Sequence, residues 1–337
     1  MDEEKSEKKQ NSTSSEKIKQ WEIINPNITF IKELGSGSFG SVWQAKETKT
    51  FAIKIMKYKR KIEIEAWKKD VTNELKIMRT LNKANTDHIV KYIKVNSDFP
   101  YVFIYLEFCN GGDVSHFAKT HDIDLIDFCK QVLLGLKIMH EYNITHSDIK
   151  TQNIMVAIGE KITYKIGDFG TAFIGEATGL AGTPDFMAPE MLNDEYNYTN
   201  KVDVWALGVS MYILTTGDQF CKNLNEILSL NESTIKSKIS DIVVAQPTIK
   251  NIIEKLLTFN PQERPSAEQM IRELPTETYM RQKGTILPSA YSLSPISEIF
   301  TQPARLSLCW RNSNLSKTLP RRSLVSPADS ILTLRSI

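Results

Sequence analysis

The sequence predicts an α+β fold in two lobes, a small β-rich lobe with one helix followed by a larger, mainly helical lobe. Three observations carry that expectation. Residues 28–108 are dominated by short β-rich runs with a single helical stretch among them. From about residue 113 onward, apolar residues recur at helical spacing over longer runs. The chain has 337 residues, 41% of them hydrophobic, which is enough for a well-buried core and suits two domains or one domain in two lobes.

The elements follow in order. Residues up to about Gln20 are rich in Lys, Glu and Ser and carry five cations against five anions. Such a segment buries too little apolar surface to offset the entropy of ordering, so residues 1–25 are expected to be a disordered extension. Runs 28–34, 41–47 and 50–56 alternate or are β-rich, with glycines at the first turn. Residues 61–81 read as a helix whose apolar stripe uses Ala66, Leu75, Ile77, Met78 and Leu81. Residues 89–95 and 101–108 return to strand character and complete a mostly antiparallel lobe, 26–108.

Gly111-Gly112-Asp113 breaks that pattern, and Asp113 can cap the helix that follows. In the second lobe, 109–275, residues 122–142 place Ile126, Phe128, Cys129, Val132 and Leu136 on a broad apolar face. Residues 202–215 are apolar nearly all round, which predicts a helix buried on every side. Residues 249–259 and 266–274 are further helices, the last capped by Ser266 after Pro265. Beyond about Thr285, prolines recur among Ser and Thr and no period persists. Residues 276–337 are therefore expected to form a mobile, locally basic tail, with eight Lys or Arg against three Asp or Glu.

A net charge of +2 gives no general signal for a polyanion, so no nucleic-acid partner is expected. The cysteines, Cys109, Cys129, Cys221 and Cys309, form no Cys-x-x-Cys pair and have no His at metal-ligand spacing. Reduced thiols in an intracellular protein are the simplest account. The N-terminus has no apolar signal core, and Asp2 stands where N-myristoylation needs glycine. The longest apolar run, 202–214, contains Asp203 and is too short to cross a bilayer. The expectation is a soluble protein of the cytoplasm or nucleus, without membrane insertion.

Seven motifs then stand in sequence. The first is Gly35-Ser36-Gly37-Ser38-Phe39-Gly40-Ser41-Val42, where glycines let the backbone approach a polyphosphate and offer it N–H groups. A dinucleotide fingerprint has the same glycine spacing but must open a helix, whereas Ser41 to Ala45 continues as a strand. Ala52-Ile53-Lys54 follows, then Glu74 on the helix, with Glu63 and Glu65 as earlier carboxylates in the same stretch. His146-Ser147-Asp148-Ile149-Lys150-Thr151-Gln152-Asn153 concentrates acid, base and amide side chains in one short loop. Asp168-Phe169-Gly170, Ala188-Pro189-Glu190 and Arg264 complete the set.

Together and in this order, the motifs resemble the eukaryotic protein kinase family, serine/threonine type, over about residues 26–275. The resemblance implies the two-lobed protein kinase fold and transfer of the γ-phosphoryl of ATP, with Mg²⁺ as the metal and Mn²⁺ as an alternative. It implies that Leu34, Gly35, Ser36, Gly37, Ser38, Phe39, Gly40, Val42 and Ala52 enclose the nucleotide. Lys54 would hold the α- and β-phosphates and pair with Glu74. Leu106 would be the gatekeeper behind the adenine, and backbone groups of Glu107 and Cys109 would meet its edge. Asp148 would accept or orient the substrate hydroxyl proton, and Lys150 would neutralise charge on the phosphoryl in transfer. Asn153 and Asp168 would hold the metal. Thr183 would bridge Asp148 and Lys150, Glu190 would pair with Arg264, and Asp203 would accept backbone hydrogen bonds from the catalytic loop.

The pattern is also broken in places. Ser147 stands where most of the family has an Arg that pairs with a phosphate on the activation segment. The segment from Thr171 to Met187 is short and holds three hydroxyls, Thr171, Thr178 and Thr183. Control by the tail, by a partner or by expression level is expected in place of activation-segment phosphorylation. Thr151 replaces the usual Pro and Gln152 an acidic residue, while Asp113 remains able to receive a basic substrate side chain. Ser294-Pro295, Ser326-Pro327 and Arg321-Arg322-Ser323 offer phosphosites or a docking segment in the tail. The readings that compete with an active kinase are an ATP-binding pseudokinase scaffold and a small-molecule kinase sharing the fold. The presence of Lys54, Asp148 and Asp168 weighs against the first.

Overall fold

A computed structural model describes residues 21–23, 25–37, 40–58, 63–175, 181–192, 198–222, 224–240, 242, 247–275 and 280–281, all within the first of two compact units, 1–291. Ser38, Phe39, Thr178, Cys309 and the Ser-Pro and Arg-Ser tail motifs lie outside the described residues.

The first lobe is one antiparallel sheet in the order β1 (Thr29–Gly37), β2 (Gly40–Lys46), β3 (Thr50–Lys57), β5 (Tyr101–Glu107) and β4 (Tyr92–Asp98). β3 is central, and its residues Phe51 to Met56 are all buried, so a strand covered on both faces loses the alternation of a half-buried one. β1 pairs with β2 through Gly35 opposite Val42, Ser36 opposite Ser41 and Gly37 opposite Gly40. Gly40 has φ +141°, and a Cβ there would lie 2.0 Å from the Ile55 carbonyl oxygen, so no other residue fits without moving β3.

Helix α1 (Ile64–Asn82) is the lobe's single long helix. Its buried positions are Trp67, Val71, Glu74, Leu75, Ile77, Met78 and Leu81, a stripe at 3.6-residue spacing. The expected stripe began at Ala66, which is exposed; Trp67, one residue later, holds the phase that lines up with Val71, Leu75 and Met78.

The second lobe is helical. Asp113 caps α2 (Val114–Thr120) by accepting from the His116 N–H at 3.1 Å. Asp124 caps α3 (Leu125–Glu141) by accepting from the Ile126 and Asp127 amides. α4 (Lys201–Thr216) is buried from Val202 to Leu214 and ends at Gly217 with φ +80°. α5 (Leu224–Leu228), α6 (Glu232–Ser240), α7 (Pro247–Leu256) and α8 (Ala267–Glu273) follow. α8 opens with the expected cap, as Ser266 and Gln269 exchange side-chain to backbone hydrogen bonds in a capping box. Between α3 and α4 come the short strand β7 (Ile144–Thr145), the hairpin β8 (Ile154–Ile158) and β9 (Ile162–Ile166), and β10 (Phe173–Ile174), which pairs with β7. β6 (Ile123–Asp124) pairs with β11 (Met280–Arg281).

Packing begins earlier than the sequence suggests. Trp21 is 3% exposed and Asn25 7%, although residues 1–25 read as an extension outside the fold. An isolated Trp in a Lys/Glu/Ser-rich stretch has no periodicity to announce its burial. Among the described residues, no helix is long and apolar enough to cross a membrane.

Candidate active site

Strand register and helix phase bring the first charged cluster together. On β3, Lys54 lies opposite Val42 of β2 and Ile104 of β5, deep in the sheet. A lysine there needs an anion. Its Nζ lies 2.6 Å from Glu74 Oε1 on α1 and 2.8 Å from Asp168 Oδ1 in the loop after β9. Burial acts to lower the lysine pKa, but the two carboxylates outweigh it and hold the ammonium charged well above the usual range. Glu74, itself buried, is pushed up by desolvation against the pull of Lys54. Partial desolvation acts to raise the half-exposed Asp168 carboxyl, yet the Lys54 ammonium prevails and holds it at about 2. Glu63 is exposed just before the helix, and Glu65, on the opposite face from Glu74, pairs with Lys68 on the surface, so of the three carboxylates Glu74 is the one buried against Lys54.

The second cluster lies in the loop after β7. Asp148 Oδ1 accepts from the Thr183 hydroxyl at 2.7 Å, and Asp148 Oδ2 accepts from Lys150 Nζ at 2.8 Å and Asn153 Nδ2 at 2.9 Å. Lys150 also donates to the Thr183 hydroxyl at 2.6 Å, closing a triangle of Asp, Lys and Thr. Asn153 Nδ2 donates a second bond to the Asp148 carbonyl at 2.8 Å.

That loop is held from behind. Asp203 of α4, fully buried, accepts from the His146 and Ser147 amides at 2.9 Å each and meets His140 Nε2 at 3.0 Å. These bonds support Ser147 at φ +66°, a conformation that costs a non-glycine residue energy. His146 Nδ1 accepts from the Asp148 amide, which assigns the proton to Nε2, where it is donated to the Gly167 carbonyl at 3.0 Å. Gly182 has φ +96°, and a Cβ there would lie 2.0 Å from the Ser147 carbonyl oxygen. Glycine at 182 therefore lets the chain cross the loop closely enough for Thr183 to reach Asp148. Thr183→Ala removes the hydroxyl that orients both Asp148 and Lys150. A fall in turnover of about tenfold or more, with ATP affinity retained, is expected in steady-state assays.

The nucleotide-binding candidates fall on one strand layer. Val42 faces Lys54 across β2 and β3, and Ala52 faces Leu106 across β3 and β5. Leu34, at 43% exposure, lies near the open end of β1. Glu107 ends β5 under tight constraint: its N–H donates to the Lys91 carbonyl, its Oε1 accepts from the Lys91 amide at 2.9 Å, and it pairs with Lys165 of β9 at 3.1 Å. Cys109 is buried and its thiol is pushed up to about 12, which makes it a packing residue and not a reactive nucleophile. Asp113 has its carboxylate taken up by Ser115 and His116, in addition to its capping bond.

Asn153 and Asp168 stand at the two ends of the β8–β9 hairpin, where Gly167 N–H donates to the Asn153 carbonyl at 2.8 Å. With Asn153 Nδ2 committed to Asp148, its amide oxygen is the end without a hydrogen bond among the described residues. The Asp168 side chain is 45% exposed although one oxygen meets Lys54. One carboxylate and one amide oxygen are hard donors, too few to cage an ion alone. They suit Mg²⁺, which keeps waters and takes substrate phosphate oxygens. Among the described residues, no group of three or more His, Cys, Asp or Glu could form a separate metal site.

Sequence reasoning missed several supporting residues. Lys165 is buried against Glu107, and Asn73 Nδ2 donates to the Ala172 carbonyl at 2.9 Å, tying α1 to the residues after Asp168. Neither carries a motif. An isolated lysine in a β-rich run was the available signal for Lys165.

The fold, the Lys54–Glu74–Asp168 cluster and the Asp148–Lys150–Thr183 triangle define a protein kinase domain, and the matching profile of that name covers residues 28–274. The chain belongs to the eukaryotic protein kinase family, serine/threonine type. Similar proteins include Serine/threonine-protein kinase 1 of Arabidopsis thaliana, 31% identical over 255 residues, covering 72% of this chain and 30% of that protein. Serine/threonine-protein kinase TAO2 of Homo sapiens is 30% identical over 257 residues, covering 72% of this chain and 20% of its own. Serine/threonine-protein kinase atg1 of Dictyostelium discoideum is 30% identical over 250 residues, covering 70% and 37%. The chain thus spans about a fifth to two fifths of the length of these relatives.

Proposed function

We propose that this chain is an active protein kinase that transfers the γ-phosphoryl of Mg·ATP, or Mn·ATP, to serine or threonine hydroxyls of protein substrates. The observation that carries it is the completeness of the charged machinery: Lys54 bonded to both Glu74 and Asp168, and Asp148 bonded to Lys150, Thr183 and Asn153. A scaffold that only bound nucleotide would have no use for the second cluster.

Each residue then has a task. Lys54 positions the α- and β-phosphates, its charge oriented by Glu74. Val42, Ala52 and Leu106 enclose the base, and Leu34, Gly35, Ser36, Gly37 and Gly40 lie over the phosphates. Glu107 and Cys109 offer backbone groups to the adenine edge. Asp148 accepts the proton of the attacking hydroxyl, while Lys150 places positive charge at the phosphoryl in flight. Asp168 and Asn153 would hold Mg²⁺ through oxygen donors, and the ion would supply positive charge against the phosphates. Residues 26–275 would form the catalytic domain and 276–337 a regulatory tail that docks a partner.

The start of the activation segment is held by uncharged contacts. The Thr171 hydroxyl donates to the His146 carbonyl at 3.1 Å, Asn73 reaches Ala172, and Phe173 packs edge-on to Tyr198 at 5.7 Å. With Ser147 in place of a cation, this favours activity without phosphorylation of the segment. The test is phosphate transfer from Mg·ATP to a generic protein substrate by the full chain, with phosphoamino-acid analysis. Phosphatase-treated enzyme is expected to keep its rate within about twofold of the untreated enzyme. A large loss restored on rephosphorylation would overturn the regulatory reading. Absence of transfer in every state, with ATP bound, would favour the scaffold.

A further inference from the structure

Trp21 and Asn25 lie before the segment that matches the family, yet both are buried against the outer face of the first lobe's sheet. The Trp21 ring meets Phe30 of β1 at 5.8 Å and Trp43 of β2 edge-on at 5.5 Å, and Phe30 meets Trp43 at 6.2 Å. They join a buried cluster with Ile28, Ala45, Phe51, Ile53, Ile55, Tyr101, Phe103 and Tyr105. Asn25 supplies a second attachment. Its N–H donates to the Trp21 carbonyl at 2.9 Å, and its Oδ1 accepts from the buried Tyr105 hydroxyl at 3.0 Å and from Asn96 Nδ2 at 3.4 Å.

The cluster alternates along each strand with the candidate nucleotide roof. Trp43 follows Val42, Ile53 lies between Ala52 and Lys54, and Tyr105 precedes Leu106. Successive side chains in a strand point to opposite faces, so a residue fixed on the outer face sets the pleat of its neighbour on the inner face. Close packing transmits that constraint because interiors yield little. We propose that Trp21 and Asn25 form a clamp, as positioning residues that hold Val42, Ala52, Lys54 and Leu106 in the geometry that receives ATP. The clamp acts through the sheet and touches no substrate. The inference rests on the proposed kinase function.

The test uses the full chain and its Trp21→Ala, Trp21→Phe and Asn25→Ala variants. ATP Kd, protein-substrate KM and melting temperature are measured well below each variant's transition. Trp21→Ala is expected to raise the ATP Kd roughly five- to tenfold with the protein-substrate KM unchanged, because the acceptor side is built from the helical lobe. Trp21→Phe, which keeps a ring against Trp43, is expected to recover most of the affinity. Asn25→Ala, which leaves the Tyr105 hydroxyl without its acceptor, is expected to weaken ATP about two- to threefold and serves alone if Trp21→Ala does not fold. An unchanged ATP Kd beside a lowered melting temperature would overturn the clamp and leave Trp21 an ordinary core residue. Equal losses toward ATP and protein substrate would overturn it as well. If the wild-type chain itself bound no ATP, the proposed function would fail first and the clamp with it, which separates that result from the other two.

Discussion

Asp148→Asn is expected to lower the rate of phosphoryl transfer by about 10²- to 10⁴-fold while the ATP KM stays within about twofold. The substitution is nearly isosteric. An amide oxygen at the same place can still accept from Thr183 or Lys150, now at 2.7 and 2.8 Å, so the loop keeps its shape. What it cannot do is take a proton. The nucleotide side of the site rests on Lys54 and Glu74, and its link to Asp148, the Asn153 amide at 2.9 Å, can still donate to the variant's amide oxygen, so it should be little affected. Steady-state kinetics with saturating protein substrate decide the matter. More than about a tenth of wild-type turnover in the variant would remove Asp148 from the role of proton acceptor, because positioning alone would then account for the rate.

Glu190→Ala is expected to destabilise the chain by about 3–5 kcal/mol, since it leaves a buried cation without its partner. Arg264 is fully buried and forms a two-pronged pair with Glu190, Nη1 to Oε1 at 2.6 Å and Nη2 to Oε2 at 3.1 Å. The rest of the guanidinium is already committed. It donates to the carbonyls of Thr258, Lys201 and Phe259, and its plane lies over the Trp205 ring at 5.0 Å. Those partners keep Arg264 in place after the carboxylate is gone, so the unpaired charge stays buried. A drop in melting temperature on the order of 10 °C should follow for a domain of this size. Calorimetry that found a shift of less than about 2 °C would show that water reaches the guanidinium and that the pair contributes little.

Much of the site could be read from residue types because its chemistry depends on local spacing. Asp148, Lys150 and Asn153 lie within one short loop, and one turn of backbone brings their side chains to a common carboxylate. Helical phase separated Glu74 from Glu65, whereas Glu63 shares its phase and is set apart only by standing before the helix. The caps Asp113 and Ser266 were equally legible, since a cap acts on the amides two and three residues ahead. Only the start of the α1 stripe was misplaced, at Ala66; Trp67, one residue later, is the residue in phase with Leu75 and Met78.

By itself, then, the sequence determined the two-lobed α+β class, the family and the candidate residues of both charged clusters, all of which depend on neighbours within a few positions or on an ordered set of motifs. Tertiary structure alone decided that Trp21 and Asn25 belong to the sheet, that Lys165 braces Glu107, and that Asn73 ties α1 to Ala172. Each of these joins residues distant in the chain through contacts that do not recur along it. Such a contact leaves no period and no spacing in the sequence; burial and register create it only once the strands and helices have met.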